Sequence, residues 1–232
     1  MANNPSYKKK IVILTGAGIS AESGIATFRD SNGLWEGHDV MAVASPSGWQ
    51  KNRALVLDFY NQRRRQLLNV MPNKAHFLLA DLQANYDIEI ITQNVDDLHE
   101  RAGSEKVLHL HGELLSARSC QRAHLKYRWK KDILIGDKAE DGAQLRPDIV
   151  WFGEDVPAFE KAVKIAAQAD IFVVIGTSLQ VYPAASLMQY ISQQCLLYYI
   201  DPHAEKSALK NAICIADVAT TGVEKFIHTY LH

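Results

Sequence analysis

The sequence has few cysteines and almost no net charge. Its three cysteines, Cys120, Cys195 and Cys214, lie far apart among 232 residues. An odd number leaves one cysteine unpaired in any disulfide scheme, so reduced thiols are the simpler interpretation. The formal net charge of −1 provides no global attraction to nucleic acid or to an anionic membrane surface.

Long hydrophobic runs are also missing. The apolar run at residues 11–14 follows a polar and basic start and is too short for a signal peptide or a membrane span. Hydrophobic residues make up 47% and charged residues 22% of the chain, which is ordinary for a globular protein that can bury a sizeable core. We therefore expect a cytoplasmic protein.

Short apolar runs alternate with helical patterns over most of the chain. Continuous apolar runs are typical of parallel strands that are covered on both faces. Helical patterns at 74–86 and 157–169, and weaker ones at 181–194 and 221–231, lie between or after these runs. The alternation predicts a doubly wound, Rossmann-like α/β fold. The predicted strands are residues 11–15, 88–92, 107–110, 171–176, 196–200 and 213–216.

Two stretches interrupt this alternation. Residues 31–73 begin as a loop and become helical from about residue 51, and residues 113–144 are polar and rich in Lys and Arg. We expect these two insertions to form a small domain. The Rossmann-like domain would then comprise residues 1–30, 74–112 and 145–232.

A glycine-rich turn follows the first predicted strand. Gly16, Ala17, Gly18 and Ala21 fit the pattern G-x-G-x-x-A, in which backbone N–H groups can approach a pyrophosphate. Such turns also occur without a ligand, so the pattern alone is weak. The acidic residue expected about 20 positions further on falls in loop-like sequence, which argues against an ordinary dehydrogenase.

Five segments, taken in order, make the pattern specific. They are 16–30 (GAGISAESGIATFRD), 92–96 (TQNVD), 111–112 (HG), 145–154 (LRPDIVWFGE), and 176–179 (GTSL) followed by 181–185 (VYPAA). These segments resemble the signatures of the sirtuin family of NAD-dependent protein-lysine deacylases, and in particular its bacterial branch that also removes succinyl and malonyl groups. Ala26 stands where that family usually has proline.

The resemblance implies NAD as the cofactor and assigns residues to its parts. The turn at 16–21 would hold the pyrophosphate, and Asp201 stands where the family often has an asparagine near the adenosine ribose. Phe28, Arg29, Gln93, Asn94 and Asp96 would lie on the nicotinamide side, and Gly176, Thr177, Ser178 and Asp201 on the adenosine side.

By the same resemblance, His111 would be the catalytic general base. Imidazole suits proton transfer at neutral pH because its unperturbed pKa is about 6.5. The products would be nicotinamide, free lysine and O-acyl-ADP-ribose. His109 would point to the same face of a strand, and we interpret it as structural.

The resemblance also implies how substrate is bound. An acyl-lysine peptide would pair with an edge strand at Val150–Glu154, which includes Phe152 and Gly153. Neither nucleic acid nor a membrane is an expected partner.

Tyr60 and Arg63 lie three residues apart on a predicted helix and so share one face. Together they could bind the carboxylate of a succinyl or malonyl group, for which Ala44 would leave room. The alternative is that Arg63, Arg64 and Arg65 form a solvated basic face.

Most sirtuins carry two Cys-x-x-Cys pairs between the His-Gly and Arg-Pro segments, which form a closed zinc site. Here the interval contains Cys120 alone, so we predict no metal. The segment would be held by packing instead, through Leu125, Tyr127, Trp129, Ile133 and Leu134.

Two other functions remain open at this point. One is a different NAD-cleaving enzyme, a glycohydrolase or ADP-ribosyltransferase. The other is an NAD-binding module without turnover, for which the lost cysteines are the only support.

Overall fold

The computed structural model describes residues 8–26, 34–35, 37–204, 209 and 211–231. Phe28 and Arg29, predicted on the nicotinamide side, lie outside the described residues. The strands are β1 Lys10–Thr15, β2 Leu34–Trp35, β3 His38–Asp39, β4 Asp87–Thr92, β5 Val107–His109, β6 Gly112–Ser119, β7 Lys126–Arg128, β8 Leu145–Ile149, β9 Ile171–Ile175, β10 Leu196–Ile200 and β11 Ile213–Ile215. The helices are α1 Gly18–Ala21, α2 Val40–Val43, α3 Pro46–Lys51, α4 Arg53–Asn69, α5 Lys74–Asp81, α6 Leu98–Arg101, α7 Phe159–Ala166 and α8 Ala219–Tyr230, with 3₁₀ turns at Leu82–Ala84 and Ala184–Gln189.

Six parallel strands form the main sheet, in the order β11-β10-β9-β1-β4-β5. These are the six predicted strands, and the doubly wound α/β fold is confirmed. Alternate residues of β1 face opposite sides: Ile11 and Ile13 pack with α5 and α8, whereas Val12 and Leu14 pack with α7. Burial on both faces explains why the strand sequences are continuously apolar.

The order of the strands reverses beside β1. The chain passes from β1 to β4 and β5 on one side, and only later to β9 and β10 on the other. In open α/β sheets, ligands bind at the carboxyl ends of the strands where this reversal occurs. The loops after β1, β4 and β9 therefore frame the expected site.

The helices agree less closely with the sequence pattern. The predicted helix at 181–194 is wrong over most of its length, since only the 3₁₀ turn Ala184–Gln189 forms. The Ser186 hydroxyl donates to the Pro183 carbonyl at 2.7 Å, and such local side-chain bonds compete with regular helix. No helix among the described residues is long and apolar enough to cross a membrane.

The antiparallel sheet β7-β6-β8 forms a second unit with α2, α3 and α4, and they share one hydrophobic core. β8 pairs with β6 from Leu145 to Ile149 and is not part of the six-stranded sheet. We expected the Rossmann-like domain to resume at residue 145, whereas these residues pair with the smaller sheet. The domain boundaries stay a prediction.

The segment between β7 and β8 is anchored by one amide side chain. Asn61 of α4 accepts from the Ile133 N–H at 2.9 Å and donates to its carbonyl at 3.0 Å. Ile133 is fully buried, and Tyr127 and Trp129 pack against the same core. The packing role predicted for Leu134 is wrong, because its side chain is 60% exposed.

Candidate active site

Three glycines let the loops after β1 and β9 touch. The Gly18 N–H donates to the Gly176 carbonyl at 2.8 Å, and the Gly16 N–H donates to that of Ile175 at 3.0 Å. A Cβ on Gly18 would lie 2.6 Å from the Gly176 Cα, so no larger residue fits there. Gly176 also has a φ of +61°, which favours glycine. The result is a side-chain-free cradle that fits a pyrophosphate.

The two remaining residues of the glycine-rich turn flank this cradle. Ala17 precedes the first residue of α1 and is partly buried, whereas Ala21 ends the helix and is exposed.

Asn94 and Asp96 form a buried polar pair behind the cradle, joined through Ser20. The Asn94 side-chain amide donates to the Ser20 hydroxyl at 3.1 Å, and that hydroxyl donates to Asp96 at 3.0 Å. Burial raises the pKa of Asp96, and hydrogen bonds from the Leu98 N–H and Ser20 oppose the rise. An amide and a carboxylate placed in this way can orient a carboxamide and a ribose.

Gln93 and Thr177 connect the loops after β4 and β9. The Gln93 amide donates to the Thr177 hydroxyl at 3.0 Å, and the Tyr199 hydroxyl donates to the Thr177 carbonyl at 3.0 Å. Ser178 follows and is partly buried, while Asp201 is buried at the end of β10. These predicted adenosine-side residues therefore lie at adjacent strand ends.

The ring of His111, two residues after the end of β5, has a defined tautomer. Its Nδ1 lies 3.0 Å from the Gln93 carbonyl oxygen, which can only accept, so the proton of the neutral ring is on Nδ1. The lone pair is then on Nε2, as a general base requires. Burial lowers the pKa of His111, and the bond to Gln93 opposes this.

Gly112 explains why glycine follows the histidine. Its φ is +84°, and a Cβ there would lie 2.0 Å from the Asp148 carbonyl oxygen. Any side chain would push β6 away from β8 and so displace the neighbouring His111.

Ala44, Tyr60 and Trp151 belong to one buried aromatic core. The Trp151 indole N–H donates to the Tyr60 hydroxyl at 3.1 Å, and Tyr60 is fully buried. Burial is the main reason that the pKa of Tyr60 is raised, so it stays a neutral hydroxyl and keeps its proton. The Phe152 N–H donates to the Ala44 carbonyl at 3.0 Å, which ties this core to the predicted peptide segment.

The three arginines of α4 differ in their surroundings. Arg65 is exposed and pairs with Asp132 at 2.6 Å, whereas Arg64 is fully buried and donates to the Leu114 carbonyl at 3.1 Å. Burial lowers the pKa of Arg64 to about 10. Arg63 is partly buried and lies over the Phe59 ring, 4.6 Å from its centroid. A uniformly solvated basic face is therefore the wrong description.

The predicted edge strand at Val150–Glu154 is not a strand, because β8 ends at Ile149 and turns follow. The Val150 N–H donates to the His111 carbonyl at 2.9 Å, and Gly153 has a φ of +88°. The Glu154 carboxylate accepts from Arg146 at 2.7 Å, which fixes the turn internally. Phe152 and Gly153 are exposed at its rim.

Sequence reasoning missed Ser20 and Trp151. Both lie inside segments that carried the resemblance, but no spacing rule indicated that they contact Asp96 and Tyr60. Among the described residues, no group of three or more His, Cys, Asp or Glu side chains could hold a metal ion. The absence of zinc stays a prediction.

Glycines and buried polar side chains gather at the carboxyl ends of the parallel strands, beside the point where the strand order reverses, which is the arrangement of Rossmann-like nucleotide-binding proteins. The Sir2 family model matches residues 16–183. The chain therefore belongs to the Sir2 family.

Curated relatives match this chain in sequence over nearly its whole length. The chain is 62% identical over 217 residues to an NAD-dependent protein deacylase of Helicobacter pylori, covering 93% of each. It is 51% identical over 224 residues to one of Bacteroides thetaiotaomicron, covering 94% of this chain and 96% of the relative.

Solved structures of Sir2 proteins also match the fold of this chain. A Sir2 homologue in complex with NAD matches with a TM-score of 0.85 and 36% identity, covering 95% of this chain and 89% of the homologue. A Sir2 protein with deacetylated p53 peptide and 3′-O-acetyl ADP-ribose matches with a TM-score of 0.79 and 29% identity, covering 96% and 94%.

Proposed function

We propose that this NAD-dependent protein deacylase removes succinyl and malonyl groups from lysine side chains, and acetyl groups as well. Its cofactor is NAD, and it shares the NAD-dependent protein deacylase activity of its relatives. We infer the preference for succinyl and malonyl groups from Tyr60 and Arg63 of α4.

The supporting observation is the arrangement of donors around Tyr60. Trp151 donates to the Tyr60 hydroxyl oxygen, so the hydroxyl proton remains available for an acceptor such as an acyl carboxylate. Arg63 lies one helical turn further on and carries a planar guanidinium that suits the same carboxylate. The buried Ala44 is small enough to leave room for a longer acyl chain.

When bound, NAD supplies a ribose carbon that releases nicotinamide and accepts the acyl oxygen. Nε2 of His111 would take a proton from a ribose hydroxyl, because its other nitrogen is held by Gln93. Asn94 and Asp96 would orient the nicotinamide ribose, and the exposed turn with Phe152 and Gly153 would contact the peptide. One water is consumed when the lysine amine leaves the acyl carbon, and the products would be free lysine, nicotinamide and O-acyl-ADP-ribose.

Replacing Arg63 tests the acyl preference. Arg63→Met keeps an unbranched apolar stem but removes the guanidinium with its charge and its donors. We expect removal of succinyl groups to fall about 10- to 100-fold, because a charge-assisted hydrogen bond is lost, and removal of acetyl groups to change less than about threefold. Mass spectrometry of matched succinyl-lysine and acetyl-lysine peptides, with and without NAD, measures both rates.

Arg65→Met is the matched control on the same helix, because Arg65 is exposed and pairs only with Asp132 among the bonds described for it. It should leave both rates nearly unchanged. Equal losses for the two acyl groups in Arg63→Met would contradict the carboxylate role. ADP-ribose formed without any deacylated peptide would favour a glycohydrolase.

A further inference from the structure

His109 sits between two acceptors at the end of β5. Its side chain is only 9% exposed. Its Nδ1 lies 3.0 Å from the main-chain carbonyl oxygen of Asn94, and its Nε2 lies 2.7 Å from the Glu100 carboxylate. It therefore connects α6 to the loop that carries Asn94 and Asp96.

The two partners determine the charge on the ring. A carbonyl oxygen and an ionised carboxylate can only accept hydrogen bonds, whereas a neutral imidazole has a single N–H. Both bonds can form together only if both ring nitrogens carry protons, so His109 is an imidazolium. His111, two residues further on, differs, because the hydrogen bond that its ring makes to the Gln93 carbonyl requires only the neutral form.

The charges around His109 favour this state. Glu100 of α6 contacts it, and Glu113 of β6 and Asp96 also act on it electrostatically. Arg128 of β7 partly neutralises Glu113 at 3.3 Å, and Arg128 and Arg101 both pair with Asp97, at 3.6 and 3.8 Å. The other histidine near it, His99, is fully buried with a pKa lowered by burial, so it adds no positive charge.

The pKa directions agree with an ion pair. Burial lowers the pKa of His109, but the hydrogen bond and charge of Glu100 outweigh it, and the net pKa is raised. The pKa of Glu100 is lowered, since its pairing with His109 outweighs burial. The charge of His109 also lowers the pKa of Asp96, against the effect of burial.

We propose that His109 is a positioning residue for NAD: a buried cation that holds the main chain at Asn94 and thereby the loop that carries Asp96. This rests on the proposed role of Asn94 and Asp96 in binding the nicotinamide ribose. His109 does not touch the reacting atoms, so its loss acts through these two residues. The effect should therefore fall on NAD and not on the acyl peptide.

The protonation state can be read directly in the protein without NAD. In ¹⁵N NMR at pH 7.5, both ring nitrogens of His109 should show the imidazolium shift. In Glu100→Gln the carboxylate is gone, so the same ring should show one protonated and one unprotonated nitrogen. A neutral His109 ring in the wild type at this pH would overturn the proposal.

Kinetics and binding test the consequence. His109→Gln keeps a hydrogen-bond donor but loses the charge. We expect the Kd and the KM for NAD to rise about five- to tenfold, and the peptide KM to change less than about twofold. Because the pKa of His109 is raised, wild-type NAD affinity should fall as the pH rises through that pKa, and His109→Gln should not show this alkaline loss.

Glu89→Gln is the matched control, because it removes a partly buried ion pair with Lys10 (2.7 Å) near the opposite end of β4. It should lower stability without changing the KM for NAD. A His109→Gln variant that loses stability but keeps wild-type NAD binding at every pH would overturn the proposal. If the wild type failed to deacylate any peptide, the proposed function would fail, while the NMR and NAD-binding results would still decide the role of His109.

Discussion

At the scale of single residues, partners and burial decide what each histidine does. His109 and His111 are two positions apart and both are largely buried, yet their pKa values shift in opposite directions. A carboxylate stabilises the charged form of His109, whereas a main-chain carbonyl only partly offsets the burial of His111. One ring is thereby suited to hold a charge and the other to accept a proton.

The lowered pKa of His111 predicts the acidic side of the pH profile. At a given pH, more of this ring is unprotonated than in a free histidine, whose pKa is about 6.5. The kcat/KM for acyl peptide at saturating NAD should therefore stay level as the pH falls to about 6.5, and decline only below it. Initial rates across a pH series measure this.

His111→Gln provides the control, since removal of a general base costs about 10²- to 10⁴-fold in rate. The small remaining activity should lack the acidic decline. A wild-type decline centred above pH 6.5 would mean that His111 is not buried in the active protein as it is here.

At the scale of elements, α4 joins the proposed acyl pocket to the rest of the small domain. Tyr60 and Arg63 lie in or beside the pocket, while Asn61 holds Ile133 and accepts from the buried Arg64 at 2.7 Å. Sequence periodicity predicted the helix but not these separate tasks. The helix begins at Arg53 because Asn52 caps it, accepting from the Leu55 N–H at 3.0 Å.

Asn61→Ala should destabilise the small domain. Three hydrogen bonds are lost, and the buried polar groups of Ile133 and Arg64 lose a partner. We expect the free energy of unfolding to fall by about 2–4 kcal/mol. Urea unfolding followed by tryptophan fluorescence measures the change.

Gln62→Ala is the matched control, because Gln62 is exposed and its described bond is to Asp58 on the same helix. It should cost less than about 0.5 kcal/mol.

A metal chelator should leave wild-type unfolding unchanged if packing holds the segment after β7. Loss of stability with chelator would show that the prediction of no zinc is wrong.

At the scale of the whole molecule, NAD binding should stabilise the fold through contact of the loops after β1 and β9. With NAD at about 100 times its Kd, the free energy of unfolding gains about 2.7 kcal/mol, or roughly 5–10 °C in Tm for a chain of this size. Gly18→Ala should abolish this gain, because its Cβ would lie 2.6 Å from the Gly176 Cα. Differential scanning calorimetry with and without NAD measures both.

Gly48→Ala separates this effect from general strain. Its Cβ would lie 2.3 Å from the Ala42 carbonyl oxygen, inside the small domain and outside the glycine cradle. It should lower the Tm yet keep the increase on adding NAD. If Gly18→Ala kept the full increase in Tm on adding NAD, the glycine cradle would not be part of the NAD site.

The main sheet was readily predicted from sequence because its central strands β1 and β9 are buried on both faces. That burial makes these two strands continuous apolar runs, which are visible without knowledge of their neighbours. β8 was not predicted as a strand, because Leu145–Ile149 is buried but contains Arg146, Pro147 and Asp148, which interrupt an apolar run. The helix at 181–194 failed because a local Ser186 bond competes with helix, and periodicity does not detect this.

By itself, the sequence determined the family resemblance, the doubly wound fold and the positions of His111, Asn94 and Asp96 along it, since these depend on local order and spacing. Only the tertiary structure decided what each side chain meets. The bond from Trp151 to Tyr60 joins residues 91 positions apart, and Arg63, Arg64 and Arg65 separate into three environments. Charge state and hydrogen bonding depend on atoms within a few ångströms, and packing brings those atoms from distant parts of the chain.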